Sequence, residues 1–314
     1  MNKIFDNVKI LVVGDIILDR YIWGDVSRIS PEAPVPVVDV NNETITLGGA
    51  ANVVHNIIRL GAKAVLCGVI GPDTTGGKIL SKASELGLEI DNILVDPDRS
   101  TTLKTRVVGG SQQIVRFDEE SREKISDGNI RRLLDIIKER LKDIDGIIVS
   151  DYNKGVVTAL LMSGIRDLID PPMFVISDPH KDNFKCHKYV NLLAPNKEEA
   201  GAFCGFDIKN EKDLKFAAKK MFYKLRCASL LITQGRGGMA LFEDENKMIH
   251  IPTVAKDLYD VSGAGDTVVA ALSLGLASGM DLEAAVRLAN KAAGVVVGKM
   301  GTATINIEEL NEVL

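Results

Sequence analysis

The segment over residues 260–267 carries the residue types that phosphoryl transfer to a hydroxyl group requires. It reads DVSGAGDT and precedes an apolar helical pattern. Gly263, Ala264 and Gly265 are small, so a ligand can approach their backbone amides, and a helix N-terminus favours an anion there. Asp266 can accept the hydroxyl proton while the amides stabilise the transferred group. The segment therefore predicts a phosphate site beside a general base, although Asp266 alone would also serve as a helix cap.

Alternating apolar runs and helical patterns predict the elements that position this segment. Continuous apolar runs are typical of strands buried on both faces of a parallel sheet. They occur at Val8–Val13, Ala64–Ile70, Gly146–Ser150, Met173–Ser177, Val190–Leu193 and Ser229–Thr233. Helical patterns occur at Asn52–Leu60, Gly76–Leu86, Ile130–Leu141, Glu198–Phe203, Asp213–Leu225, Asp266–Ser278 and Leu282–Val297. The order indicates an α/β fold with a mostly parallel central sheet covered on both faces.

Two segments interrupt this alternation. Residues 20–46 contain Pro31, Pro34 and Pro36, and residues 100–118 alternate in polarity around a Gly-Gly pair typical of a hairpin turn. We expect them to form a small β-sheet lid over the site, the alternative being surface hairpins without a role. We accordingly interpret residues 1–314 as one domain with a lid formed by about residues 20–46 and 100–118.

Composition excludes several classes of protein. The 314 residues carry a net charge of −5, so we expect no nucleic-acid partner and no attraction to anionic membranes. We find no signal peptide, no stretch as long as a membrane span and no CxxC pair, which favours a cytoplasmic protein with reduced thiols. The spacings of a Walker A loop and of a Rossmann GxGxxG loop are absent, and the four histidines form no metal-ligand pattern.

The DVSGAGDT octapeptide resembles the second signature of the ribokinase-like (PfkB) sugar kinases. This resemblance implies a ribokinase-like three-layer α/β sandwich, with Asp266 as catalytic base and the amides of Gly263, Ala264 and Gly265 as the anion hole. It implies ATP and Mg²⁺ as cofactors and leaves a monovalent cation open. Enzymes of this family often pair through their lids, so a homodimer through the β lid is expected.

Other motifs agree with the resemblance in order and spacing. The segment GGAAN at residues 48–52 resembles the first family signature, which implies that Gly48, Gly49 and Asn52 contact sugar hydroxyls. Asp19 matches the sugar-binding aspartate of the family, and its neighbour Asp15 could do the same, because carboxylates accept charge-assisted hydrogen bonds from vicinal hydroxyls. Asp151 follows a predicted strand, where α/β proteins place ligands, but a helix cap explains it equally well.

Two further motifs and one helical asparagine predict where the nucleotide binds. The segment NKEE at residues 196–199 resembles the N-x-x-E motif, which implies that Asn196 and Glu199 organise Mg²⁺, water and phosphates, with Glu199 as a metal ligand, directly or through water. The same four residues also resemble a helix capping box. The nucleotide loop of the family is matched by residues 233–238, and the adenine pocket by a helical asparagine. The resemblance thus assigns nucleotide contacts to Thr233, Gly235, Gly238 and Asn290.

The segment RISPEAPVPV at residues 28–37 resembles one subfamily, the D-glycero-β-D-manno-heptose 7-phosphate kinases of ADP-heptose biosynthesis. The implied reaction transfers the ATP γ-phosphate to the anomeric hydroxyl and yields the 1,7-bisphosphate, a lipopolysaccharide core precursor. Because that substrate already carries a phosphate, we expect cations to bind it. The candidates in or beside the lid and site motifs are Arg28, Lys104, Arg106, Arg116, Lys154 and Lys181. At least one of Arg106 and Arg116 should face the sugar phosphate.

Two other classes of function stay open. One is a family kinase for another substrate, of the phosphofructokinase, ribose or nucleoside type. The other is a non-catalytic sugar-binding protein on the same fold, which would not need all of the signature residues. Because many heptose kinases are followed by a cytidylyltransferase domain, we also expect either a stand-alone kinase or a chain cut from a bifunctional protein.

Overall fold

The computed structural model describes residues 4–110, 112–255, 262–299, 301 and 303–314. Its larger sheet has nine strands in the order β13-β12-β11-β10-β9-β8-β1-β4-β5. The strands are β1 Lys9–Gly14, β4 Lys63–Ile70, β5 Ile93–Val95, β8 Gly146–Ser150, β9 Phe174–Asp178, β10 Leu192–Leu193, β11 Ser229–Thr233, β12 Met239–Phe242 and β13 Met248–Ile251. Pairing is parallel from β11 to β5, whereas β12 and β13 extend the sheet antiparallel at one edge.

Helices cover both faces of this sheet. They are α1 Ala50–Arg59, α2 Thr74–Glu85, α3 Asp127–Arg140, α4 Ala159–Leu168, α5 Lys197–Cys204, α6 Glu211–Leu225, α7 Ala264–Ala277, α8 Leu282–Val296 and α9 Ile307–Asn311. Alternate residues of β1 enter two separate cores: Ile10 and Val12 pack with α1, α7 and α8, while Leu11 and Val13 pack with α3, α4 and α6. Period-two alternation in a fully buried strand thus produces the three layers.

A second sheet is formed by the two segments that interrupt the α/β alternation. It has four strands in the order β3-β2-β6-β7, with β2 Ile16–Ile29, β3 Pro36–Gly49, β6 Thr102–Gly109 and β7 Gln112–Glu119. We call it the lid sheet. β2 pairs antiparallel with β3 and parallel with β6, which places Asp19 opposite Lys104 and Tyr21 opposite Arg106. The predicted β segments at 20–46 and 100–118 are therefore present, with strands that extend a few residues beyond them.

Several element bounds differ from the sequence-based prediction. The run predicted as a strand over Val190–Leu193 pairs only at Leu192–Leu193. Helix α4 was not predicted, although Thr158 caps its N-terminus and its apolar side packs on the sheet. The short strands β5, β12 and β13 were also missed, because runs of three or four residues carry little periodicity.

Candidate active site

The predicted anion site lies at the N-terminus of α7. Gly263 precedes this helix with a φ of 79°, a left-handed conformation that favours glycine. The first helical hydrogen bond runs from the Thr267 amide to the Gly263 carbonyl at 3.0 Å, so the amides of residues 264–266 have no acceptor within the helix. They can therefore donate to an anionic ligand, and the helix dipole adds to the attraction. Asp260 of the same motif lies outside the described residues.

Asp266 is buried in the first turn of α7, and two side chains hold its carboxylate. Asn52 Nδ2 from α1 donates to one oxygen at 2.7 Å, and the Tyr152 hydroxyl donates to the other at 2.9 Å. Burial raises the pKa of Asp266 to about 6, and these two hydrogen bonds oppose that rise. The Asp19 carboxylate raises the pKa further, whereas Lys104 lowers it. Above pH 6 the group is mostly ionised and is able to accept a proton.

The first-signature residues bring the lid sheet close to Asp266. An added Cβ on Gly48 would lie 2.3 Å from Asp19 Oδ2, and one on Gly49 would lie 2.4 Å from the Asp15 carbonyl oxygen. Glycine at position 48 therefore leaves room for the Asp19 carboxylate, and glycine at position 49 leaves room for the backbone of Asp15. Asn52 is fully buried, and its Oδ1 has no hydrogen-bond partner among the described residues. That acceptor beside Asp266 fits a hydroxyl donor from a ligand.

Asp15 and Asp151, both predicted to contact substrate, accept hydrogen bonds from the protein itself. The Asp15 carboxylate accepts three backbone amides at 2.8–3.1 Å, from Tyr152, Lys154 and Val156. Burial and the Asp151 charge raise the Asp15 pKa to about 6 despite these bonds. Asp15 thus holds the loop that carries Tyr152, which supports a positioning role, while its contact with the sugar stays a prediction.

Asp151 makes an equivalent set of contacts at the end of β8. One oxygen accepts the Asn153 amide at 2.8 Å, and the other accepts Asn183 Nδ2 at 2.8 Å and contacts His187 Nε2 at 2.7 Å. The alternative that Asp151 caps the following helix is wrong, because Thr158 caps α4. Asp151 therefore fixes the strand end that leads into Tyr152.

The predicted cations lie at different depths. Arg106 Nη1 contacts Asp19 Oδ1 at 2.5 Å and its guanidinium stacks over the Tyr21 ring, with only 13% of its side chain exposed. Lys154 Nζ contacts Glu120 Oε2 at 2.5 Å and is similarly covered. Arg116 is half exposed and pairs with Asp118 on its own strand. Arg106 and Lys154 thus lie between the lid sheet and the α/β body, whereas Arg116 does not belong to this buried group.

A cavity of about 430 Å³ lies against the N-terminus of α7, and within the described residues neither the lid sheet nor the loop after β8 contributes to its lining. Its lining includes most residues predicted to contact the nucleotide and two of the anion-hole residues: Asn196, Thr233, Gly235, Gly238, Asn290, Ala264 and Gly265. Asn290 Nδ2 donates to the Pro252 carbonyl at 2.8 Å, which fixes this part of the wall. The volume is in the range of small-molecule sites. The fold therefore brings the predicted nucleotide motifs together at the helix terminus that carries Asp266.

Asn196 and Glu199 form the capping box of α5. The Asn196 side chain accepts the Glu199 amide at 2.9 Å, and Glu199 Oε2 accepts the Asn196 amide at 2.8 Å. Burial, with the Glu198 and Asp151 charges, raises the pKa of Glu199 to about 7 against the opposing Asn196 amide. The capping interpretation is thus confirmed, while the role in binding Mg²⁺ stays a prediction.

Asp178 is a site residue that was not predicted from the sequence. It ends β9, and an added Cβ on Gly265 would lie 3.9 Å from its Oδ2. Burial raises its pKa well above the usual range, and the charges of Glu199 and Asp266 raise it further. The rule that ligands bind at strand ends, which selected Asp151, would also have selected Asp178. Tyr152, which follows Asp151, also received no role in the prediction of the site.

The donor set near these carboxylates fits Mg²⁺ held together with phosphates. No group of three or more His, Cys, Asp or Glu side chains within the described residues forms a metal cage. Mg²⁺ normally binds proteins through one or two carboxylates plus substrate phosphates and water. Asp178 and Glu199 supply two such carboxylates beside the anion hole, and a cation there would relieve their mutual repulsion.

Comparison with known proteins identifies similar chains. A family model described as pfkB family carbohydrate kinase matches residues 7–309. The chain is 43% identical over 305 residues to the bifunctional protein HldE of Sulfurimonas denitrificans, covering 97% of this chain and 64% of that protein. It is 41% identical to HldE of Helicobacter pylori, covering 98% of this chain and 66% of that protein. The chain thus spans about two thirds or less of these relatives.

Solved structures support the fold. Ribokinase from Arabidopsis thaliana, complexed with ribose and ATP, has a TM-score of 0.76 at 19% identity, over 98% of both chains. Phosphofructokinase-2 from Escherichia coli, in complex with potassium, has a TM-score of 0.78 at 18% identity, again over 98% of both chains. The expected three-layer fold with a separate small sheet is confirmed. None of the helices in the described parts of the chain is long and apolar enough to cross a membrane.

Proposed function

Because this chain belongs to the pfkB family of carbohydrate kinases, we propose that it phosphorylates the anomeric hydroxyl of D-glycero-β-D-manno-heptose 7-phosphate with ATP. The product of this reaction is the 1,7-bisphosphate, an intermediate of ADP-heptose biosynthesis. The heptose assignment is supported by the RISPEAPVPV segment and by the HldE names of relatives that are 41–44% identical. A family kinase for another sugar or sugar phosphate is the alternative.

The position of Asp266 is the observation that carries this proposal. Its carboxylate lies at the helix terminus between the nucleotide cavity and the lid sheet, and two donors orient it. A sugar hydroxyl that donates to Asp266 would face a phosphate bound at the α7 amides. Asp266 then accepts the proton as the hydroxyl oxygen attacks the γ-phosphorus of ATP. The bond from that phosphorus to ADP breaks, and the amides stabilise the charge on the transferred phosphoryl group. Asn52 Oδ1 accepts a hydrogen bond from a second hydroxyl of the sugar and so orients the sugar.

Mg²⁺ would be held near Glu199 and Asp178, where it would neutralise charge on the ATP phosphates. Asn196, Thr233, Gly235 and Gly238 bind the nucleotide along the cavity, whose lining also includes Asn290. We propose that the lid sheet closes the sugar side, because its strands carry Asp19 and Arg106 toward the body. Exclusion of water there protects the transferred phosphoryl group from hydrolysis.

We further propose a homodimer through the lid sheet. Its strands expose five large apolar side chains, Val26, Ile29, Val40, Val115 and Phe117, and the connection between β2 and β3 exposes Val35. On β7 the alternation places Val115 and Phe117 on the face opposite to Arg116 and Asp118. Apolar residues concentrated on one small sheet are typical of a surface that is covered by a partner.

A coupled assay of ADP release tests the proposed reaction. Each sugar of a panel is supplied with ATP and Mg²⁺: the heptose 7-phosphate, fructose 6-phosphate, fructose 1-phosphate, ribose and a nucleoside. We expect the highest kcat/KM with the heptose 7-phosphate. A higher value for another sugar would replace the heptose assignment, and absence of ADP release with every sugar would contradict the kinase assignment for this chain.

A further inference from the structure

Three basic side chains meet between the lid sheet and the loop that follows β8. Lys104 and Arg106 project from the same face of β6, because they are two residues apart, and Lys154 lies in the loop. Burial lowers the pKa of Lys104; the nearby Asp19 carboxylate opposes this, and the charges of Lys154 and Arg106 lower the pKa further. The three cations are therefore close enough to repel one another.

Two of the three cations are neutralised by the protein. Arg106 pairs with Asp19 at 2.5 Å, and Lys154 pairs with Glu120 at 2.5 Å. Lys104 Nζ has neither an ion pair nor a hydrogen bond within the part of the chain that the structure describes. Its contact is the face of the Tyr152 ring, 5.0 Å from the centroid. A half-buried ammonium with only an aromatic face as partner keeps most of its capacity to bind an anion.

The location of Lys104 indicates which anion it binds. The nucleotide cavity is lined by none of these three cations. Lys104 and Arg106 belong to the lid sheet, where Arg106 pairs with Asp19, and the Lys104 charge acts on Asp266. Tyr152, which contacts Lys104 through its ring, donates its hydroxyl to Asp266 at 2.9 Å. An anion bound at Lys104 would therefore lie beside the position at which Asp266 meets the sugar hydroxyl.

We propose that Lys104 is a specificity-determining residue that binds the phosphate monoester already present on the sugar, so that the site selects phosphorylated over neutral sugars. This inference rests on the proposed kinase function and adds to it the residue responsible and the class of substrate. An ammonium group offers three donors to phosphate oxygens, and Arg106 and Lys154 add positive potential at the same position. Phosphate binding would offset the repulsion among the three cations.

The test compares two sugars in each of four proteins. The sugars are D-glycero-β-D-manno-heptose 7-phosphate and the same heptose without its phosphate, with ATP saturating. The proteins are the unaltered chain, Lys104→Gln, Lys104→Arg and Lys138→Gln, in which an exposed lysine of α3 provides the matched control. Melting temperatures establish that each variant folds. Binding of inorganic phosphate, measured by calorimetry, gives a readout that does not depend on turnover.

We expect Lys104→Gln to raise KM for the heptose 7-phosphate by about 10- to 100-fold, the loss typical of a charge-assisted hydrogen bond. KM for the unphosphorylated heptose and for ATP should stay unchanged, phosphate binding should weaken, and Lys104→Arg should restore part of the affinity. An equal change for both sugars, or a shift in the acidic limb of the pH–rate profile without a change in their KM ratio, would overturn the proposal.

The two proposals fail in different ways. If the unaltered chain prefers another sugar phosphate, the heptose assignment fails, and the same comparison with that compound and its dephosphorylated form still tests Lys104. If the unaltered chain prefers a sugar without phosphate, or if Lys104→Gln binds inorganic phosphate as well as the unaltered chain does, the role of Lys104 is refuted.

Discussion

Replacing Tyr152 by phenylalanine removes one of the two hydrogen bonds that hold Asp266, and its effect on pH dependence can be worked out. The Tyr152 hydroxyl donates to Asp266 Oδ1 at 2.9 Å in a buried setting. A hydrogen bond to a charged group contributes roughly 1.5–3 kcal/mol. Since one pKa unit corresponds to about 1.4 kcal/mol, losing a bond that favours the ionised form raises the pKa by roughly 1–2 units.

The pKa of Asp266 should therefore move from about 6 to roughly 7–8 in Tyr152→Phe. At pH 7 the ionised fraction then falls from about nine tenths to between roughly one half and one tenth. The assay is kcat/KM for the sugar phosphate, measured across the acidic limb by coupled ADP release. We expect low activity at neutral pH that recovers toward the unaltered level in alkaline buffer.

Tyr223→Phe is the matched control, because this tyrosine of α6 is 66% exposed and lies on another part of the surface. Its pH–rate profile should coincide with that of the unaltered chain. The reasoning is refuted if the acidic limb of Tyr152→Phe does not move. A loss of activity that is equal at every pH would also refute it, because it would assign Tyr152 a purely structural role.

Further predictions concern the base, the metal and the lid. Asp266→Asn should lower kcat by about 10²–10⁴-fold. It should also raise Tm above pH 6. The folded-state pKa of about 6 exceeds the ordinary aspartate pKa of 3.8, so ionisation of Asp266 lowers the stability of the fold as pH rises from about 4 to 6. A Tm equal to or below that of the unaltered chain at pH 8 would contradict this. Glu199→Gln should raise the Mg²⁺ concentration for half-maximal ADP release by about tenfold, whereas an unchanged Mg²⁺ titration would exclude Glu199 from the metal site. Light scattering should give twice the chain mass of 34.0 kDa for the unaltered protein and one chain mass for Phe117→Asp, with Phe216→Asp, on α6, as the control. A monomeric unaltered protein would contradict the lid dimer.

The fold was predictable where the sequence pattern has one physical explanation. The run from Val8 to Val13 is apolar at every position, and β1 is indeed buried on both faces between β4 and β8. The predicted β segments were found because prolines and alternating polarity are incompatible with helices. Short strands at the sheet edge were missed, since three or four residues do not define a period.

The site was predictable only in part, because pairing among charged side chains depends on tertiary geometry. Gly263, Gly265 and Asp266 are contiguous, so their shared role at one helix terminus followed from local sequence. Asp15 and Asp151 have the same residue type and strand-end position as a ligand contact, yet backbone amides and buried side chains occupy them. No local pattern distinguishes a carboxylate that binds substrate from one that organises a loop.

The central claim is that phosphate is transferred to the anomeric hydroxyl of a sugar that already carries a phosphate. Phosphorus NMR of the product formed from D-glycero-β-D-manno-heptose 7-phosphate and ATP tests it most directly. We predict one new phosphate resonance coupled to the anomeric proton, in equal amount to the ADP formed, and appearing about 10²–10⁴-fold more slowly with Asp266→Asn. A new phosphate on any other carbon, or ADP formation with release of inorganic phosphate alone, would contradict the assignment of Asp266 and the proposed reaction.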